Sequence, residues 1–147
     1  MTMKQAPDFS LPDQHGQLHT LKDYKDSWLI LYFYPQDETP GCTAEACVFR
    51  DGREDLAAVG AEVVGVSADD VTSHKQFADN HSLNFTILAD PELTAIKAYN
   101  SYNVETGRTL RNTFLINPQG QIVREYQEVS PAGHAQQILE DLRKLQA

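Results

Sequence analysis

Trp28-Leu29-Ile30-Leu31-Tyr32-Phe33-Tyr34 runs into Pro35-Gln36-Asp37-Glu38-Thr39-Pro40-Gly41-Cys42-Thr43-Ala44-Glu45-Ala46-Cys47, and this stretch decides how the chain folds. An unbroken apolar and aromatic run closed by a proline reads as a buried strand. Thr39-Pro40-Gly41 reads as a turn, and the residues from Cys42 onward read as a helix. The spacing therefore predicts that Cys42 sits where a strand ends and a helix begins. Unpaired backbone N–H groups and the positive end of the helix dipole stabilise an anion at such a place. A thiol there is favoured as the thiolate, the form that attacks electrophiles. Gly41 leaves room for close approach to Cys42, and the Thr39 hydroxyl can donate or accept a hydrogen bond.

Moving outward, Phe9 to Leu21 shows two short apolar segments around Asp13-Gln14-His15-Gly16, the pattern of a small hairpin. The helix after Cys42 is expected to run to about Ala58, with Gly60 as its stop. Ala61–Ser67 is rich in β-branched residues and reads as a second core strand. Apolar and aromatic-like positions predict a helix from Val71 to about His81, and Phe85–Leu88 a short strand. Asp90-Pro91-Glu92 reads as a helix start with Leu93, Ile96 and Tyr99 on one face. Thr113–Ile116 and Ile122–Tyr126 flank Asn117-Pro118-Gln119-Gly120, a hairpin turn by composition. Ser130-Pro131 reads as the cap of a last helix whose face is Ala135, Ile138, Leu139, Leu142 and Leu145.

Strands alternating with helices, then a hairpin and a closing helix, predict an α/β architecture with a mixed sheet. Ligands of open α/β sheets bind at the carboxyl ends of the parallel strands, which puts the expected site just after Tyr34. The 147 residues suffice for one domain, residues 1–147, with its own core. A net charge of −9 argues against nucleic-acid or anionic-membrane partners. It also sets a demand, because a thiolate in an acidic chain needs a nearby cation. The first eight residues hold no apolar core and do not read as a signal peptide, which makes the cytoplasm the expected address. No apolar run approaches the length needed to span a bilayer. In that compartment two cysteines are expected to be catalytic or metal-binding rather than a structural staple.

Cys42 and Cys47 are five residues apart. On an unbroken helix their Cα atoms would lie roughly 8–9 Å apart, beyond the reach of about 7 Å that a disulfide allows. They can bridge only if the first turns unwind. Four intervening residues do not match the Cys-x-x-Cys pattern of dithiol oxidoreductases. His15, His19, His74, His81 and His134 are scattered singly, so no zinc-ligand pattern emerges and no metal is expected. Taken alone, Cys47 could equally be a small buried hydrophobe.

Pro35-x-x-x-Thr39-x-x-Cys42, with Gly41 before the cysteine and Thr43-x-Glu45 after it, resembles the active-site motif of the peroxiredoxins. Cys47 resembles the resolving cysteine of the bacterioferritin-comigratory, or Q-type, subfamily. The likeness extends to Ala6–Asp13, Leu31–Pro35, Val64–Ser67, Leu88–Asp90 and Arg111–Ile116, nearly the whole chain. It implies a thioredoxin-like fold with an N-terminal β-hairpin extension, and a thiol-dependent peroxidase for hydrogen peroxide and organic hydroperoxides. By the same resemblance Cys42 is the peroxidatic thiolate, Thr39 orients the peroxide, Pro35 shields the site from water and Arg111 is the required cation. Cys47 then forms a redox disulfide with Cys42, and thioredoxin or a similar dithiol protein restores the thiols. Glu45 has two readings of equal standing: a holder of the active-site arginine, or a carboxylate facing the helix dipole. No cofactor is implied, and an intramolecular pair makes a monomer the expected state. A redox sensor using the same thiolate is the alternative of a different class. The segment between Val104 and Arg111 is shorter than is usual in the subfamily, and Asn112 and Asn117 replace its common serine and aspartate.

Overall fold

In the computed structural model, which describes residues 4–147, the chain orders as follows. Strand β1 (Lys4–Gln5) precedes the hairpin β2 (Ser10–Pro12) and β3 (Leu18–Thr20), then a 3₁₀ turn at Leu21–Tyr24. Next come β4 (Trp28–Phe33), α1 (Pro40–Ala58), β5 (Ala61–Ser67), α2 (Val71–Asn80) and β6 (Thr86–Ala89). The remainder is α3 (Thr94–Ala98), the hairpin β7 (Tyr102–Asn103) and β8 (Arg108–Thr109), then β9 (Thr113–Ile116), β10 (Gln121–Tyr126) and α4 (His134–Gln146).

The main sheet runs β1-β10-β9-β4-β5-β6, with β4, β5 and β6 parallel and the other pairs antiparallel. This is the expected mixed α/β arrangement, and its central strand is the apolar run that opened the analysis of the sequence. Alternation along β4 explains why that run has no polar face. Ile30, Tyr32 and Tyr34 join Phe49 and Leu56 of α1 and Ile138, Leu139 and Leu142 of α4 in one core. Leu29, Leu31 and Phe33 join Ile96, Tyr99, Phe114 and the N-terminal Phe9 and Leu11 in the other. A strand covered on both faces must be apolar at odd and even positions alike. Tyr32 also fixes a neighbour: a Cβ added at Gly65 would stand 2.8 Å from its ring, so the parallel β4–β5 pairing there needs glycine.

The N-terminal hairpin extension guards a sheet edge. Gln14 Nε2 donates to Phe85 O and Gln14 Oε1 accepts from Ile87 N, so one side chain stands in for a partner strand beside β6. The tight β7–β8 hairpin, which sequence periodicity did not pick out, accounts for the short segment before Arg111. Asn112 and Asn117 are both put to use: Asn112 Nδ2 donates to Ser101 Oγ, and Asn117 Oδ1 accepts from Gln119 N and Gln121 N across the hairpin turn.

Two helix starts lie later than expected. The helix after Asp90-Pro91-Glu92 begins only at Thr94, because the buried Asp90 carboxylate accepts from Thr94 N and Ile96 N and pulls the first turn to itself. The last helix begins at His134 rather than after Ser130-Pro131, with Gly133 at φ 74° as its N-cap. Strand β6 is shifted by one residue from Phe85–Leu88, and β1 was not expected at all. No helix among the described residues is long and apolar enough to cross a membrane.

Candidate active site

β4, β5 and β6 all end at the same edge of the sheet, and α1 starts there after the loop 34–39. Thr39 is the N-cap with φ −79° and ψ 151°, and Pro40 takes the first helical position. A proline is tolerated there because that N–H would have no intrahelical partner. Cys42 therefore lies two residues further into the helix than the sequence suggests, still within its first turn. It is 1% exposed. Cys47 is half-buried further along the same continuous helix, and both thiols are free.

Arg111 arrives from the far end of the sequence. Phe33 N donates to Asn112 O at 2.8 Å, and Arg111 O accepts from Val129 N at 2.9 Å, so pairing across the end of β4 sets its backbone. Its guanidinium forks over the first turns of α1. Nη2 lies 3.5 Å from Cys42 Sγ, and Nη1 donates to Glu45 Oε1 at 2.9 Å. A sulfur anion is the better acceptor for such a charged donor. Burial pulls the guanidinium pKa down, but the Cys42 and Glu45 charges outweigh it and the net direction is upward. The close approach at Gly41 that the sequence anticipates is to this arginine, since a Cβ on Gly41 would stand 2.8 Å from Arg111 Nη2.

Glu45 resolves into the arginine-holding arrangement. It is fully buried, and its Oε2 has no hydrogen-bond partner among the described residues. Burial raises its pKa from 4.5 to about 7, and Arg111 opposes that rise. The folded chain thus keeps a proton on Glu45 between pH 4.5 and about 7 that the unfolded chain has released. Its contribution to stability is full below pH 4.5 and declines as pH rises through about 7. We expect Glu45→Gln to flatten this decline, by on the order of 3 kcal/mol. Urea unfolding at both ends of that window measures it, and parallel pH profiles for the two chains would refute the assignment.

Thr39 is half-exposed and its hydroxyl donates to Gln36 O at 2.8 Å, which leaves the oxygen lone pairs free to accept. Pro35 directly follows Tyr34 and is half-buried. All seven residues singled out in the sequence thus lie on the loop 34–39, on α1 or just before β9. Sequence reasoning missed Tyr34, Asp37 and His74, which form a buried network beside the loop: Tyr34 Oη donates to Asp37 Oδ1 at 2.6 Å, and His74 Nδ1 lies 2.7 Å from Asp37 Oδ2. The signal available was His74 falling at helical spacing with Phe77. Asp37, Asp69 and His74 bring ligand-type atoms within 4.8 Å of one another. Those oxygens already accept hydrogen bonds, Asp69 Oδ2 from Ser67 Oγ and Asp37 N, and Asp37 Oδ2 from Ser73 Oγ. The cluster is a hydrogen-bonded network first.

Residues 2–125 match the model of the AhpC/TSA family. The Bacillus subtilis peroxiredoxin Bcp is 37% identical over 148 residues, covering 97% of this chain and 94% of that protein. A chloroplastic peroxiredoxin Q of Populus jackii is 40% identical over 142 residues, 95% of this chain and 66% of that longer protein. Among solved structures, Mycobacterium tuberculosis BcpB superposes with a TM-score of 0.93 at 33% identity, over 99% of this chain and 98% of the other. The Xanthomonas campestris bacterioferritin comigratory protein, studied for its alkyl peroxide reduction activity, gives 0.89 at 31% identity over 95% and 92%.

Proposed function

The chain belongs to the AhpC/TSA family, as a thiol-dependent peroxidase of the Bcp/Q peroxiredoxin type, and from that premise we propose that it reduces hydrogen peroxide and organic hydroperoxides through Cys42 and Cys47. The observation that carries the reading is the Arg111 guanidinium 3.5 Å from Cys42 Sγ in the first turn of α1.

In the first step the Cys42 thiolate attacks one peroxide oxygen and the O–O bond breaks. The sulfur is oxidised to sulfenic acid, and the leaving oxygen takes a proton and departs as water or an alcohol. Arg111, fixed by Glu45, holds the sulfur anion and faces the charge that develops on the peroxide. Thr39 presents its hydroxyl oxygen to the peroxide O–H, and Pro35 covers the site against water. In the second step the first turns of α1 unwind, and the Cys47 thiol displaces the sulfenic hydroxyl as water to form the disulfide. A dithiol protein of the thioredoxin kind then reduces that disulfide by thiol–disulfide exchange. No metal or organic cofactor enters this scheme. We place the enzyme in the cytoplasm as a single-domain monomer that defends against peroxide, without nucleic-acid or membrane partners.

The test is thiol loss against a small excess of hydrogen peroxide, with free cysteine as control and peptide mapping of the product. Cys42 should react far faster than the control and end in a Cys42–Cys47 disulfide. Cys47→Ser should oxidise once at the same rate, stall as sulfenic acid and proceed to sulfinic acid with more peroxide. Normal turnover of that variant with thioredoxin would sink the resolving role of Cys47.

A further inference from the structure

Asp37 lies in a loop, yet it is only 6% exposed. Its carboxylate is approached from three sides. Tyr34 Oη donates to Oδ1 at 2.6 Å, while Ser73 Oγ donates to Oδ2 at 2.8 Å and His74 Nδ1 lies 2.7 Å from the same oxygen. His74, fully buried, places Nε2 2.8 Å from Leu88 O. The imidazole is thus held at both ring nitrogens, by a backbone carbonyl on one side and the carboxylate on the other. The backbone is fastened too, because Asp37 N donates to Asp69 Oδ2 at 2.9 Å.

The next residue repeats the attachment at the other end of α2. Glu38 has φ 63°, where residues with a side chain are uncommon. Its Oε2 accepts from Asn80 Nδ2 at 2.6 Å and its Oε1 lies 2.6 Å from His81 Nε2. Beyond Cys47, Arg50 Nη1 donates to His81 O at 2.8 Å and docks the continuing helix on the same element. Two adjacent residues of a short loop are thus tied to both ends of α2, and neither takes part in the chemistry above. What they position is Thr39, the N-cap on which the first turn of α1 stands.

We propose that Asp37, clasped by Tyr34, Ser73 and His74, is a positioning residue that holds the loop 35–39 in its peroxide-receiving shape and opposes the unwinding that brings Cys42 to Cys47. The proposal rests on the two-cysteine reading given above. While the clasp is closed, Thr39, Arg111 and the first turn of α1 stay aligned on Cys42. Once it loosens, the helix start loses its support and the sulfenic acid is released sooner to Cys47. The clasp therefore acts on the two steps in opposite directions, whereas a general loss of structure would slow both.

Rapid mixing with hydrogen peroxide, quenching with a thiol-blocking agent and mass spectrometry of the Cys42–Cys47 peptide separates thiol, disulfide and sulfinic acid. We expect Tyr34→Phe, Ser73→Ala and His74→Gln each to slow Cys42 oxidation, by about fivefold for one lost hydrogen bond. Disulfide formation from the sulfenic acid should speed up, and the sulfinic share at a given peroxide dose should drop. Folded variants with wild-type rates in both steps, or with both steps slowed together, would overturn the proposal. Should His74→Gln fail to fold by circular dichroism, Tyr34→Phe and Ser73→Ala carry the same test, since each removes a single hydroxyl. Absence of the disulfide in the wild-type chain would refute the two-cysteine reading instead, and the clasp would then stand or fall on the oxidation rate alone.

Discussion

Replacing Cys42 with serine should reduce peroxide consumption to the uncatalysed background, a loss of about a thousandfold or more, as for other enzyme nucleophiles. The reason is chemical rather than structural. A hydroxyl stays protonated near neutral pH, and its oxygen cannot be oxidised to the equivalent of a sulfenic acid. The fold should tolerate the change. The sulfur is buried, but a serine oxygen can accept from Arg111 where the sulfur now does, so the expected stability change is about 1 kcal/mol. Peroxide consumption with excess reductant, alongside thermal unfolding, measures both quantities. Residual turnover by a well-folded Cys42→Ser chain would mean that the peroxide reacts elsewhere.

Removing the Arg111 charge should have the next largest effect, and it acts on activity and stability through different partners. In Arg111→Met the sulfur loses the donor 3.5 Å away. Losing one pre-organised donor of this kind costs about a hundredfold in rate. Glu45 loses its counter-charge while its side chain remains at 0% exposure. An uncompensated buried carboxylate destabilises the fold by about 3 kcal/mol. Burial already holds the Glu45 pKa at about 7, so this penalty should appear mainly at higher pH, where the carboxyl must ionise, and shrink in acid, where it is neutral. The double variant Arg111→Met with Glu45→Gln separates the two effects. It should regain most of the stability above pH 7 and none of the rate. Arg111→Lys tests geometry, because one ammonium cannot hold Cys42 and Glu45 in the same fork. A wild-type rate in Arg111→Met would remove the arginine from the mechanism.

Much of this molecule is readable without coordinates where the physics is local. The apolar run Trp28–Tyr34 announces a strand buried on both faces, and β-branched residues mark Ala61–Ser67 to the residue. Gly60, at φ 80°, ends α1 where a left-handed residue is wanted. Thr39-Pro40-Gly41-Cys42 places a thiol in the first turn of a helix. The structure departs from this reading where a nearby side chain outcompetes the backbone signal. Pro91 looks like a first helical residue, but the Asp90 carboxylate binds N–H groups four and six residues on and delays the helix to Thr94.

The sequence by itself determined the order of strands and helices, the apolar run of the central strand and the place of Cys42 at a helix start, since each is written in local composition and spacing. Only the tertiary structure decided which charges face that thiol. Arg111 stands 69 residues from Cys42 and 66 from Glu45, and His74 stands 37 from Asp37. Those distances close only when β9 pairs with β4 and α2 packs beside the loop 34–39. That Glu45 meets Arg111 and His74 meets Asp37 follows from the fold. A buried carboxylate or imidazole must find a partner, and the fold decides which one comes within reach.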